Sequence, residues 1–319
     1  MWFNSIHISE FEQAIAYQPE WLENELRHYP FKPCTAVTPT SYGFVPPIGD
    51  DTDAPLVYAT QGYLVFCLQI QQKLLPASVL RDQHKEKVKQ LENKLGKKVS
   101  RNEKQQMKEE LEHTLLGQAF SRSNKVYLYV DTHKQRLIIN SCNKNTLELC
   151  YKLCSQIFVE QSMQALSLQS ISGILTSWLR YKEYPNSFCI LDHCALEDNT
   201  EQKGKARFSK SDLYSDAVQG LLSDGSRVTG LQLNWCDKLH FTLKEDFSIT
   251  SVKYLEEVKD LAKDGITETE ADRFATDFFI MAETLSAFLE DLLPVFRDQE
   301  DDENAAQTSS QAKEVTETV

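Results

Sequence analysis

The side chains of this chain that are most suited to binding chemistry are lysines and arginines clustered between positions 81 and 108. Ten cationic side chains stand there against four acidic ones, which leaves +6 in a chain of net charge −13. Screening confines each surface charge to about 10 Å at moderate salt, so a local positive field persists in an acidic protein. The cluster predicts either a phosphate-binding finger or a charged, solvated helical hairpin.

Apolar spacing predicts two helices in this stretch, joined by a tight turn. Gly96 suits the left-handed end of the first helix, and Ser100 with Glu103 forms an S-x-x-E capping box that begins the second. The turn would present the cations Lys97, Lys98 and Arg101 close together. The apolar positions are Val88, Leu91 and Leu95 in the first helix, and Met107, Leu111 and Leu115 in the second.

Residues typical of catalysis or metal binding do not form a convincing constellation. Cys189 and Cys194 flank His193, but on a strand they would point to opposite faces, and no second ligand pair stands at metal spacing. Asp192 and His193 are interpreted as an exposed loop pair, since no nucleophile accompanies them. Phosphate-loop, dinucleotide-binding, zinc-protease and serine-hydrolase motifs are missing from the sequence. The expectation is no enzyme activity, no cofactor and no metal.

Composition predicts an ordinary globular protein of 319 residues, with 41% apolar and 25% charged residues. No apolar run of 18 residues and no signal peptide are found, which predicts a cytoplasmic protein without a membrane partner. Eight cysteines without a C-x-x-C pair fit reduced, buried thiols. The acidic balance excludes a surface that is basic throughout, so any nucleic-acid contact must be local.

The pattern of helices and strands predicts an α+β class with mixed or antiparallel sheets. The closing helix, with a capping box of Thr267 and Glu270 and a stop at Pro294, carries an aromatic stripe that includes Phe278 and Leu285. This stripe is either intramolecular core or a homodimer seam. Strands are predicted at 2–9, 56–70 around Gly62, 124–131 and 135–141, and through most of 187–252; helices are predicted at 18–28, 144–158, 171–181, 212–222 with Asp212 as cap, and 268–293.

Four segments are predicted from these elements. Residues 1–72 with 123–181 form an α+β lobe, and 73–122 form the basic hairpin. Residues 182–296 form a β-rich lobe with the closing helix. Residues 297–319 form an acidic tail predicted to be disordered.

Several stretches, in one order along the chain, resemble the bacterial recombination-associated protein RdgC family. They are MWFNSIHIS, GFVPPIG, the basic hairpin leading into HTLLGQAFSR, RFSKSDL, and the closing TDFFIMAETLSAFLEDLL. Together they reach to about Phe296. The chain departs from the family at Gly117-Gln118, where relatives have Pro-Arg, and its acidic tail is longer.

The resemblance implies a non-catalytic, largely sequence-independent DNA-binding protein of the nucleoid. Family members form a ring-shaped homodimer that encircles double-stranded DNA and restrains the RecA recombinase; single-stranded DNA is a further expected partner. Carried over by position, Lys97, Lys98, Arg101, Lys104, Arg122 and Lys210 are the expected DNA contacts. Phe120 is the expected ring-closure residue, although it could instead stack on a base.

Two other functions stay open at the level of sequence. The hairpin could dock an acidic protein partner while the aromatic stripe pairs with another chain. An enzyme acting on nucleic acid is the third hypothesis, which would require a metal-dependent nuclease activity that tracks one acidic residue.

Overall fold

The computed structural model describes residues 1–49, 54–200, 203–263 and 269–298, and it is an α+β protein. The strands are β1 (Ser5–Phe11), β2 (Thr40–Val45), β3 (Val57–Thr60), β4 (Tyr63–Lys73), β5 (Ser121–Asp131), β6 (Arg136–Ile139), β7 (Met163–Gln164), β8 (Phe188–Glu197), β9 (Lys205–Ser209), β10 (Arg227–Trp235), β11 (Leu239–Lys244) and β12 (Ile249–Tyr254). The helices are α1 (Pro19–Leu26), α2 (Ala77–Leu95), α3 (Arg101–Gln118), α4 (Lys144–Ile157), α5 (Ile171–Tyr181), α6 (Asp216–Ser223), α7 (Glu256–Lys263) and α8 (Glu270–Phe296). The predicted fold class is confirmed, and the ring-shaped homodimer stays a prediction.

The chain divides into two compact units. The first comprises the described residues of Met1–Tyr17, Ala59–Leu64 and Tyr129–Val319; the second comprises those of Gln18–Tyr58 and Val65–Leu128. This division is coarser than the four segments expected from the sequence, which stay a prediction. Within the described residues, no helix combines the length and the apolar character needed to span a bilayer.

The first unit is built on an antiparallel sheet with strand order β6-β1-β12-β11-β10-β8-β9, and β7 pairs with β1. In its middle, Leu233 of β10 lies opposite Phe241 on one side and Ile190 on the other. Phe188 and Trp235, which also lie opposite each other, are almost fully buried. The predicted run of strands through 187–252 is therefore confirmed.

Helix α8 supplies the core of the first unit. The Phe288 ring centroid lies 4.8 Å from that of Phe241, and that of Phe296 lies 5.6 Å from that of Trp178. The prediction that Pro294 stops this helix was wrong. Proline removes one backbone N–H, yet the helix continues to Phe296, whose side chain is fully buried.

Two predicted helix starts also need correction. The capping box of α8 consists of Thr269 and Asp272, whereas Thr267 lies outside the described residues. Helix α6 begins after Ser215 rather than at Asp212. The Asp212 carboxylate instead accepts a hydrogen bond from the Tyr214 N–H at 2.9 Å, which forms a turn before the helix.

The second unit contains β2, β4 and β5 in that order across its sheet. Helix α1 directly precedes β2 in the chain. Phe44 and Phe66 pack with ring centroids 5.8 Å apart, and the α1 side chains Leu22 and Leu26 are fully buried. Pro19 occupies the first turn of α1, as predicted. The connection from β4 to β5 is the α2–α3 hairpin, which carries the basic cluster.

Candidate nucleic-acid interface

The α2–α3 hairpin is a narrow element with a small apolar seam. Val88 of α2 and Leu111 of α3 are buried, whereas Leu95, also on the predicted stripe, is 50% exposed. Polar contacts supplement the seam. The His84 Nε2 atom lies 2.8 Å from the Lys104 carbonyl oxygen, and Lys104 Nζ lies 3.0 Å from Glu92 Oε1.

The turn between the helices has the predicted geometry. Gly96 adopts φ 65°, and its N–H donates to the Glu92 carbonyl at 3.0 Å. The Ser100 hydroxyl accepts from the Glu103 N–H at 3.3 Å, and the Glu103 carboxylate accepts from the Ser100 N–H at 2.9 Å. Gly96 and the capping box are therefore confirmed as the helix end and the helix start.

Both acidic side chains of the turn are used internally. The Lys104 ammonium, followed by the Val99 N–H, lowers the pKa of Glu92. The Ser100 hydroxyl and N–H lower the pKa of Glu103. Both carboxylates are therefore ionised at neutral pH and hold the turn together.

The four predicted cations of the turn divide into two groups. Lys97, Lys98 and Arg101 are exposed, and the described part of the chain contains no acidic group within ion-pair distance of them. Lys104 is half-buried and paired with Glu92. Three cations thus face solvent together, and the fourth stabilises the turn. The spacing of the residues placed Lys97, Lys98 and Arg101 together, whereas Lys104 was added by the family resemblance. The pairing of Lys104 with Glu92, in the last turn of α2, was not predicted.

The opposite end of the hairpin carries Phe120 and Arg122. The Leu74 N–H donates to the Phe120 carbonyl at 2.8 Å, while the Phe120 side chain is 86% exposed. Arg122 is exposed at the start of β5. Since 18 residues of α3 span about 27 Å, the structure does not bring Arg122 next to the turn.

Lys210 lies in the first unit, directly after β9, where it is exposed and has φ 53°. Near it, an open depression of about 570 Å³ is lined by groups that include His193, Arg207 and Lys244. His193 Nδ1 lies 2.6 Å from the Asp192 carboxylate. The expectation that Asp192 and His193 lie in a loop was wrong, because both belong to β8.

Phe278 and Leu285 are both fully buried within the first unit. The Phe278 ring packs against Tyr129 at 5.6 Å and Tyr63 at 6.4 Å between centroids. Of the two interpretations of the aromatic stripe, the intramolecular core therefore describes these side chains. They do not lie on a surface of the single chain that a second copy could contact.

Residues 1–49, 54–200, 203–263 and 269–298 contain no cluster of three or more His, Cys, Asp or Glu side chains suited to a metal ion.

Comparison with known proteins assigns this chain to a family. A family model described as "Putative exonuclease, RdgC" matches residues 1–299. Proteins named recombination-associated protein RdgC from Yersinia enterocolitica serotype O:8, Yersinia pestis and Yersinia pseudotuberculosis are each 29% identical over 294 residues. Each alignment covers 92% of this chain and 97% of the relative. The match includes the α2–α3 hairpin and α8, and the chain belongs to the RdgC family.

Proposed function

We propose that this chain is a non-catalytic protein that binds double-stranded DNA with little regard to sequence. In this proposal two copies form a ring around the duplex in the nucleoid, and they limit the access of the RecA recombinase to DNA. Single-stranded DNA is a further partner of the same cations in this proposal. The name of the Yersinia relatives, recombination-associated protein, supports the link to recombination.

The observation that carries the proposal is the state of Lys97, Lys98 and Arg101. These side chains lie on a turn that Gly96 and the capping box hold in place, and neither of the turn's carboxylates is ion-paired with them. The turn fixes the backbone from which these exposed side chains project, so the backbone need not reorganise when phosphates bind. The turn therefore suits the repeated charge of a nucleic-acid backbone.

Lys98 and Lys97 also contribute to the lowered pKa of Glu92 and of Glu103, respectively, so these two carboxylates partly offset the cations of the turn. Glu109, the next acidic residue of α3 after Glu103, lies eight positions beyond Arg101, which is about 12 Å along the helix. This distance exceeds the screening length of about 10 Å at moderate salt. The field at the turn is therefore set mainly by the turn's own charges, and much less by the net charge of −13.

Low sequence selectivity follows from the kind of contact. Lysines and an arginine at a turn neutralise phosphates, which carry no sequence information. If all three cations of one chain contact phosphates, the logarithm of the binding constant falls with the logarithm of salt concentration at a slope of about −2.7 per chain. A ring with two hairpins doubles this slope.

A protein-interaction module is the second candidate, because the same three cations could dock on an acidic protein surface. An exonuclease is the third, since the description of the family model contains that word. These alternatives differ from the proposal in what the purified chain does with naked DNA.

The test is a titration of the purified chain with two duplexes of unrelated sequence over a range of salt concentrations. We expect similar affinities for both duplexes, steep salt dependence, and intact DNA after incubation with Mg²⁺ or Mn²⁺. Absence of binding at low salt would favour the protein-interaction module. A nuclease activity that shortens the DNA and co-purifies with the chain would favour the exonuclease, provided that substitution of a single acidic residue abolishes it.

A further inference from the structure

The depression on the sheet of the first unit has no role in the proposed function. Its volume of about 570 Å³ lies within the range of about 300–1,000 Å³ that is typical of small-molecule sites. Phe241 of β11 packs against Phe288 of α8. Because successive side chains of a strand alternate between faces, Thr242 and Lys244, which line the depression, point to the face away from α8. We call this the outer face of the sheet.

The strand register places two cations in one row across the outer face. Ala195 of β8 lies opposite Arg207 of β9 on one side and opposite Gly230 of β10 on the other. Gly230 in turn lies opposite Lys244 of β11. Since directly opposite residues share a face, the order across the row is Arg207, Ala195, Gly230, Lys244. With about 4.8 Å between neighbouring strands, the two cations are about 14 Å apart at their Cα atoms.

The floor between the two cations consists of small residues, and the glycine there is not required by the fold. Gly230 does not have a positive φ. A Cβ atom at this position would lie 3.7 Å from Ala195 Cβ and 4.0 Å from Lys244 Cγ, which are ordinary contacts. The register shift between Val228 and Gly230 does not demand glycine either, since only a bulge with a left-handed residue does. Glycine inside a strand also marks close approach of a ligand.

The two cations of the row are available to an anion. Arg207 and Lys244 are exposed, and the described part of the chain places no carboxylate within ion-pair distance of either. The acidic groups at the rim have other partners. Glu245 lies 3.4 Å from Arg227, and the Asp246 carboxylate accepts a backbone N–H of its own turn at 3.0 Å.

The lining groups suit a terminal phosphate. Arginine presents a planar fork that matches phosphate oxygens, and lysine adds a point charge. Two positions along from the row, Ser209 of β9 lies opposite His193 of β8, and both line the depression together with the Thr242 hydroxyl. A terminal phosphate offers three strong acceptor oxygens to such a set of donors, whereas the linking phosphate of a nucleic-acid backbone has only two unesterified oxygens.

We propose that this depression binds a small compound through a terminal phosphate, which lies between Arg207 and Lys244 above the floor of Ala195 and Gly230. A nucleotide is one member of this class of ligand. The site lies in the first unit, whereas the basic hairpin lies in the second. It therefore does not depend on the assignment of the DNA contact to the hairpin.

The test is isothermal titration calorimetry of the full-length chain with inorganic pyrophosphate at low salt. We expect one equivalent to bind, and Arg207→Gln and Lys244→Gln each to weaken binding roughly tenfold. Gly230→Val should abolish binding, because it fills the hollow without changing a charge and suits a strand. Lys253→Gln is the matched control. It removes an exposed lysine of β12 outside the lining of the depression and should leave the affinity unchanged.

Replacement of Lys97, Lys98 and Arg101 by Glu should also leave the affinity for pyrophosphate unchanged, which separates this site from the hairpin. Two results would overturn the inference. One is an affinity for pyrophosphate that is the same in the unaltered chain, Arg207→Gln and Lys244→Gln, two variants of exposed side chains that should fold normally. The other is absence of pyrophosphate binding by the unaltered chain, even if Gly230→Val weakens binding of duplex DNA, since the hollow would then serve nucleic acid. Cooperative thermal unfolding shows that each variant is folded.

Discussion

At the scale of single residues, the four cations expected to act together at the turn have two roles. Lys104 pairs with Glu92 and so stabilises the hairpin, whereas Lys97, Lys98 and Arg101 face solvent. The family resemblance grouped all four as DNA contacts, because spacing along a helix does not show that Lys104 and Glu92 meet across the turn. That information depends on how α2 and α3 pack.

The Glu92–Lys104 pair should make the hairpin sensitive to acid. The folded pKa of Glu92 is lowered, mainly by Lys104. The stabilisation is therefore fully present above the ordinary carboxylate pKa, and it is lost as the pH falls through the folded value. We expect the protection factors of the α2 and α3 amides, corrected for the intrinsic exchange rate at each pH, to decrease as the pH falls below the ordinary carboxylate pKa of about 4. In Glu92→Gln, exchange should already be faster at pH 7 and should change less with acid. Equal pH dependence in both proteins would assign the effect to other carboxylates.

Phe120 gives a test of self-association at the same scale. Because its side chain is 86% exposed, Phe120→Ala should change the free energy of unfolding of the single chain by less than about 0.5 kcal/mol. If this side chain closes a ring, the solution mass of Phe120→Ala at micromolar concentration should fall from that of a dimer towards that of a single chain. Sedimentation equilibrium measures the mass. An unchanged dimer mass would place the contact elsewhere.

At the scale of elements, local signals identified the hairpin well. Gly96, Ser100 and Glu103 specify its turn through backbone conformation and capping, which depend only on neighbours in sequence. The seam was predicted less well. Leu95 has the right spacing but stays half exposed, because the apolar contact between two long helices also depends on where they cross.

Ser100→Ala should test the contribution of the capping box. Removing the hydroxyl leaves the Glu103 N–H without its partner, and loss of a serine cap costs about 1 kcal/mol. The expected result is faster amide exchange in the first turn of α3, with α8 unaffected. Ser123→Ala, on β5 of the same unit, is the control. Unchanged exchange in α3 would mean that the Ser100 hydroxyl contributes nothing.

Helix α8 shows where tertiary packing overrides a local rule. Its aromatic stripe was recognised from spacing, but the sequence left open whether the stripe faces the chain's own sheet or a second copy. Burial of Phe278 and Leu285 decides this for the single chain. The end of the helix was misplaced because Pro294 is a strong local stop signal, whereas burial of Phe296 favours continuation.

Phe278→Ala should therefore behave as a core substitution. The loss of a fully buried ring lowers the free energy of unfolding by about 3–5 kcal/mol. The unfolding midpoint should therefore fall, and its decrease should not depend on protein concentration. Phe279→Ala, on the half-buried side of α8, should cost clearly less. A loss for Phe278→Ala that disappears at high protein concentration would indicate a dimer seam instead.

At the scale of the whole molecule, an acidic chain presents a small group of exposed cations on a capped turn. The composition could set the net charge but could not show which cations are free. That distinction comes from the pairs Glu92–Lys104 and Ser100–Glu103, which use the turn's carboxylates internally. The proposed binding of DNA by this member of the RdgC family therefore depends on a local field rather than on net charge.

The most direct test compares two triple charge reversals on the same hairpin. One replaces Lys97, Lys98 and Arg101 with Glu; the other replaces Lys85, Lys87 and Lys89, exposed cations in the middle of α2, and so changes the net charge equally. For each variant, the binding constant for a random-sequence duplex is measured against salt concentration. The account predicts that reversal at the turn removes most of the salt dependence, about −2.7 in slope per chain, while reversal in α2 retains most of it. Equal losses in both variants, or an unchanged slope after reversal at the turn, would contradict the assignment of the DNA contact to Lys97, Lys98 and Arg101.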